Sequence, residues 1–139
     1  MPKESNTAVT ISSLFILLFV YTAISKWLSF DAFRAVLAQS PLTGRIAPLI
    51  AWGLPSLELF IALLLSLRTT RKTGLYAAGI LMLIFTLYVA GMLLFSPHLP
   101  CSCGGIIQAM SWKAHLVFNL AACLLLLYAM RTLRNEPIY

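Results

Sequence analysis

The chain has 139 residues, of which 60% are hydrophobic and only 10% charged, and its formal net charge is +6. Charged residues make up about 25% of an ordinary soluble domain. This composition therefore excludes a soluble globular fold and predicts a single integral membrane domain over residues 1–139, with the lipid bilayer as its first partner. The basic residues stand singly or in small groups between apolar runs and form no aromatic-laced basic patch, so no nucleic-acid partner is expected.

A short polar tail, 1–7, precedes the first apolar run, 8–28. A secretory signal would carry a basic start, a shorter core and a small-residue cleavage site. Here Lys3 is offset by Glu4 and the run is too long, so a retained transmembrane helix is expected. Residues 29–40 differ in character. Phe30, Phe33 and Leu37 fall on one side at helical spacing, with Asp31 and Arg34 off that side. This predicts a short amphipathic helix in the membrane interface, ended by Pro41.

The second span is expected over 46–67, with Pro48 near its start and a helix-kinking Pro55 inside. Arg68, Arg71 and Lys72 follow it. The third span, 73–95, carries Gly74, Ala78, Gly79 and Gly91 as small residues for close helix contact. The fourth runs over about 112–131 and is followed by Arg131 and Arg134. Each run has close to the ~20 residues that cross ~30 Å of hydrocarbon. The predicted fold class is an all-α membrane protein: a four-transmembrane-helix bundle with a short amphipathic interfacial helix between helices 1 and 2.

Basic residues set the orientation. With both termini cytoplasmic, that side holds Lys3, Arg68, Arg71, Lys72, Arg131 and Arg134, against Lys26, Arg34, Arg45 and Lys113 outside. The loop 96–111 then faces outward, into a compartment where disulfides persist. The expected location is the bacterial inner (cytoplasmic) membrane, multi-pass, with this loop in the periplasm.

That loop concentrates the reactive residues: Ser96-Pro97-His98-Leu99-Pro100-Cys101-Ser102-Cys103-Gly104-Gly105. Three readings of Cys101 and Cys103 stay open. As a redox pair they need a bent backbone to bring their Cα atoms within ~4.4–6.8 Å, which the flanking Pro100 and Gly104 favour. A small, strained, exposed ring of this kind exchanges readily. As metal ligands, His98, Cys101, Cys103 and His115 make a runner-up set suited to soft Cu(I), although zinc sites leave two to four residues between cysteines. As plain structure, the two cysteines fill a turn or form an inert disulfide. His98, His115 and Lys113 are the groups near enough in sequence to stabilise a thiolate. Cys123 lies within the fourth span and reads as a small core residue.

Glu58 is the anomaly of the second span. An ionisable group at that depth is expensive and should face the bundle interior with a partner. Ranked by depth, Asn119 and His115, which share a face at i, i+4, come first. Tyr21 and Tyr88 lie at similar depths, and Lys26 is nearer the surface. These residues are expected to form a structural or proton-accepting cluster beneath the cysteine loop. Lys26, Trp27, Trp52 and Trp112 read first as interface anchors.

Cys101-Ser102-Cys103-Gly104 before the last of four spans, Lys26 ending the first, Pro55-x-x-Glu58 in the second and Asn119 in the fourth together resemble the MauE family. These are methylamine-utilisation membrane proteins grouped with DoxX-like proteins, and the resemblance covers nearly the whole chain. It implies a four-helix membrane bundle linked to thiol–disulfide chemistry outside the cytoplasm, working beside a thioredoxin-like or other cysteine-containing extracytoplasmic protein. In the family pattern an aromatic residue follows the second cysteine and an Arg precedes the Asn of the fourth span. Here Gly104 and Phe118 stand at those places, with Lys113 or His115 as stand-ins for the Arg, so the methylamine substrate is not carried over.

The expected function is thus support of disulfide formation or redox maturation of extracytoplasmic proteins, and any enzymatic activity would be thiol–disulfide oxidoreduction. No cofactor motif is evident. With one dithiol, electrons pass either to a protein partner or to a quinone. The alternatives are a copper- or soft-metal-handling membrane protein and a non-catalytic subunit of a larger membrane complex.

Overall fold

The computed structural model describes residues 6–39, 43–95 and 112–135, apart from the side chains of Phe95 and Trp112. All regular structure among them is helical. Helix α1 is Asn6–Leu28, α2 is Phe30–Gln39, α3 is Ala47–Ser66, preceded by a 3-10 turn at Gly44–Ile46, α4 is Arg71–Phe95 and α5 is Trp112–Arg134. Four segments are long and apolar enough to cross a membrane: Asn6–Leu28, Gly44–Ser66, Arg71–Leu94 and Lys113–Arg134. The short amphipathic helix between the first two spans is α2.

The four long helices close into a ring. α1 packs on α3, α3 on α4, α4 on α5, and α5 returns to α1. Each turns one stripe inward at the i, i+3/i+4 spacing of a helix face. On α1 the stripe is Ile11, Phe15, Phe19 and Thr22; on α3 it is Ala51, Pro55, Glu58, Ala62 and Leu65. On α5 it is Asn119, Ala122, Leu126 and Ala129. The outward Leu, Ile and Val side chains are those a bilayer would cover.

One end of the ring is packed solid. Phe15, Phe19, Ile61, Leu65, Leu75, Ala78, Leu81 and Leu126 form a single core there. Gly74 is what lets α4 lie directly on α3. A Cβ at that position would sit 2.9 Å from the Leu65 backbone nitrogen and 3.1 Å from the Leu64 carbonyl carbon. The turn between α3 and α4 is tied by side chains that accept the role of the missing helical donors. Thr70 Oγ1 donates to the Leu64 carbonyl at 2.8 Å, and Arg71 Nε donates to the Leu65 carbonyl at 3.0 Å. Arg71, expected only as an orienting charge, thus also caps α3.

At the other end α2 folds back over the bundle. Backbone bonds continue through the bend at Ser29, whose N–H donates to Ser25 and whose carbonyl accepts from Phe33. Phe33 and Leu37 bury themselves against Ala47 and Ala51 at the start of α3. The polar side, with Asp31 and Arg34, is exposed. Thr43 Oγ1 donates to the Leu37 carbonyl at 2.8 Å and closes the end of α2. Pro55 sits buried within an uninterrupted α3, so the proline does not break the helix.

Candidate functional site

Beneath α2 the ring of helices does not close on itself. It encloses a cavity of about 380 Å³ whose walls come from all five helices. Most of the wall is apolar, including Phe19, Phe33, Leu54, Phe85, Val89 and Phe118. Set into it are Thr22 and Lys26 of α1, Glu58 of α3, Tyr88 of α4, and His115 and Asn119 of α5.

Lys26 and Glu58 define the electrostatics. Lys26 Nζ donates to Glu58 Oε1 at 2.8 Å, with the lysine side chain 11% exposed and the glutamate 1% exposed. The lysine sits near the end of α1, and its aliphatic stem lets the ammonium reach down into the bundle. Two rings flank the ammonium: the Phe33 centroid lies 5.8 Å away and the Phe85 centroid 5.9 Å away. At such distances the negative ring faces add favourable cation–π attraction. Glu58 is therefore not a bare charge in hydrocarbon. Its neutralising partner comes from another helix, as an intramembrane carboxylate requires.

The remaining polar atoms of the cavity are less satisfied. Among the described residues, Glu58 Oε2, Asn119 Nδ2 and Tyr88 OH are buried and have no hydrogen-bond partner. Thr22 lies beside the Glu58 carboxyl group, while its hydroxyl donates to the Phe19 carbonyl at 3.3 Å. A buried polar atom left unpaired costs about 1–3 kcal/mol. Three of them around one cavity form a hydrogen-bonding surface that lacks its complement.

The residues picked out by sequence separate into three groups. Lys26, Glu58, Tyr88, His115 and Asn119 all reach the cavity. Lys26, ranked last as a partner for Glu58 and read first as an anchor, is the residue that pairs with it. Tyr21 does not line the cavity and is 40% exposed on the outer side of α1. Thr22 and Lys26 share the inward face at i, i+4, which turns Tyr21 away. Lys113 is exposed at the start of α5. Cys101, Cys103 and His98 lie outside the described residues, and with them most of the runner-up metal set. Among the described residues no group of three or more potential ligands surrounds a metal position. Cys123 is half-buried on α5, its Sγ 3.6 Å from Thr86 Oγ1, as befits a core residue. Trp27 and Trp52 are exposed, and the Trp52 ring meets that of Phe30 at 4.8 Å between centroids, tilted by 47°.

Sequence reasoning missed Thr22, Phe33 and Phe85 as members of the site. Thr22 was findable. Phe15, Phe19, Thr22 and Lys26 repeat at i, i+4, i+7 and i+11, so any face that buries the two phenylalanines brings the threonine and lysine with it. Phe33 belongs by spacing to the apolar side of an interfacial helix, and nothing local shows that this side covers an ammonium.

Comparison with known proteins gives one result. A family model described as methylamine utilisation protein MauE matches residues 4–132, nearly the whole chain. No curated protein matches the chain, and no solved structure does.

Proposed function

The chain belongs to the MauE family and is a multi-pass membrane protein, and we propose that it supports thiol–disulfide exchange on extracytoplasmic proteins through Cys101 and Cys103. The observation that supports the proposal is the match to the MauE model over residues 4–132, a resemblance that implies thiol–disulfide chemistry, in a chain that carries Cys101 and Cys103 between its last two spans. The helices joined by 96–111 are α4 and α5. Val89 near the end of α4 and His115 near the start of α5 both line the cavity, so the two helices that residues 96–111 connect meet at the cavity end of the ring. In the proposed orientation both termini are cytoplasmic and this end faces the periplasm across the bacterial inner membrane.

The exchange proceeds as follows. A thiolate of the partner protein attacks one sulfur of the Cys101–Cys103 disulfide. The S–S bond breaks, a mixed disulfide forms, and the other cysteine leaves as a thiolate. The partner's second thiolate then attacks the mixed disulfide and releases the first cysteine. Two electrons move to this chain and the partner gains a disulfide. A thioredoxin-like or other cysteine-bearing extracytoplasmic protein meets this requirement. The attacking species is a thiolate, and the reactive, strained disulfide of a short ring is the better oxidant.

Replacing one cysteine at a time tests the proposal. The exchange is reversible: in Cys101→Ser or Cys103→Ser the remaining thiolate attacks the disulfide of an oxidised partner, and one partner cysteine leaves as a thiolate. No second cysteine of the pair is present to resolve the product, so each variant is expected to accumulate a partner adduct that dissolves on reduction. If neither variant traps an adduct, and neither changes the redox state of any extracytoplasmic protein, the proposal fails.

A further inference from the structure

We propose that the cavity between the five helices is a binding site for a membrane-dissolved quinone, held by its ring oxygens between Asn119, Tyr88 and Glu58. The binding inference stands on the cavity alone. Its reaction rests on the thiol–disulfide reading above, and it names the oxidant that reading leaves open.

The polar atoms determine what fits. An anion is a poor occupant, because the Lys26 ammonium is already matched by Glu58 at 2.8 Å and an unpaired carboxylate oxygen lies beside it. A cation is equally poor, because that ammonium stands in the same wall. A plain hydrocarbon chain fills the apolar part and leaves the buried polar atoms unpaired, which is costly. The complement is a neutral, largely apolar molecule that can both accept and donate hydrogen bonds. Asn119, 2% exposed, points a free amide N–H donor toward it, and Glu58, 1% exposed, supplies a free acceptor oxygen. Tyr88 OH can act either way.

A quinone ring matches both functions, one in each oxidation state. Its carbonyl oxygens accept from Asn119 Nδ2, and the hydroxyls of the reduced ring donate to Glu58 Oε2. The volume, about 380 Å³, falls in the ~300–1,000 Å³ range of small-molecule cavities and admits a ring but no protein segment. Leu57 and Ile84 line it and are 44% and 55% exposed on the outside of the bundle. That gives an apolar way in from the bilayer and a place for a tail to remain in lipid.

The coupled reaction balances. Cys101 and Cys103 as thiols lose two protons and two electrons and form the S–S bond. The quinone gains both and becomes the quinol. The disulfide consumed by a partner dithiol is thereby restored.

Binding is measured on the full chain carrying Cys101→Ser and Cys103→Ser, in lipid nanodiscs, so that thiol chemistry plays no part. A decyl-tailed benzoquinone is titrated, and bound quinone is counted against empty nanodiscs. Saturable binding near one per chain is expected, weakened about tenfold by Asn119→Leu, which removes one hydrogen bond. Val36→Phe, which fills the cavity from α2 and leaves every polar residue in place, is expected to weaken it at least as much. Decanol is expected not to compete. Absence of saturable binding to the parent chain overturns the proposal. So does full competition by decanol, and so does unchanged affinity in both variants when their thermal melts match the parent. Trapping of a mixed disulfide without quinone binding would leave the exchange standing and remove the quinone. Quinone binding without any mixed disulfide would do the reverse.

Discussion

The two ends of the helical ring are built on opposite plans. Around Gly74 the helices touch backbone to backbone, and Phe15, Leu65, Leu75 and Leu126 fill the space between them. Around Glu58 the same four helices stand far enough apart to leave a cavity, roofed by α2 and lined with an ion pair and with three polar atoms that have no partner among the described residues. Dense packing is what natural interiors default to, so the hollow end is the costly one. The solid end holds the helices in place, and that rigidity allows the other end to keep a void and a buried charge pair without collapsing around them. Val89 of α4 and His115 of α5, on the two helices that residues 96–111 connect, line the hollow end.

The largest effect is expected from breaking the ion pair one side at a time. Lys26→Met strands a buried carboxylate and should cost about 3 kcal/mol, whereas adding Glu58→Leu should restore most of it, since well-packed apolar residues often replace a buried pair at little cost. Denaturant titration in detergent reads both. If the single variant melts like the parent, the pair does not organise the hollow end.

Next comes the solid end. Gly74→Val forces a side chain into the α3 backbone and should cost about 2 kcal/mol by overpacking, in the same titration. Unlike the ion-pair variants, it should leave ligand binding unchanged per folded molecule. Arg71→Ala removes the donor to the Leu65 carbonyl and should cost about 1 kcal/mol, seen as a lower melting temperature with no change at the cavity. The smallest effect is at Ser12, whose hydroxyl is buried without a partner among the described residues. Ser12→Ala should change stability by no more than about 0.5 kcal/mol, or raise it slightly, because no hydrogen bond is lost. A loss above 1 kcal/mol there would show that the hydroxyl is satisfied after all.

How far the sequence reaches differs between the two ends in the same way. Four long apolar runs and the Phe30, Phe33, Leu37 spacing were enough for the bundle and its interfacial helix, because length and periodicity are local properties. The solid core follows from the same stripes. Glu58 stood out because a carboxylate in an apolar run is rare, and Asn119, His115 and Tyr88 followed from their depth. The partner of Glu58 was harder. Lys26 and Glu58 differ in depth by several residues along their helices, and only the reach of the lysine stem closes that gap. Tyr21 was placed inside by depth alone, and the Thr22–Lys26 face shows why depth without face is insufficient. The cavity itself is a property of how four stripes meet, which no single stripe contains.

The central claim, that Cys101 and Cys103 form an exchangeable pair outside the cytoplasm, is tested most directly by thiol labelling in intact membranes. In a Cys123→Ala background a membrane-impermeant maleimide is added from outside, before and after mild reduction. The account predicts no labelling of Cys101 and Cys103 in aerated membranes and labelling of both after reduction. Full labelling of both before any reductant is added would contradict it.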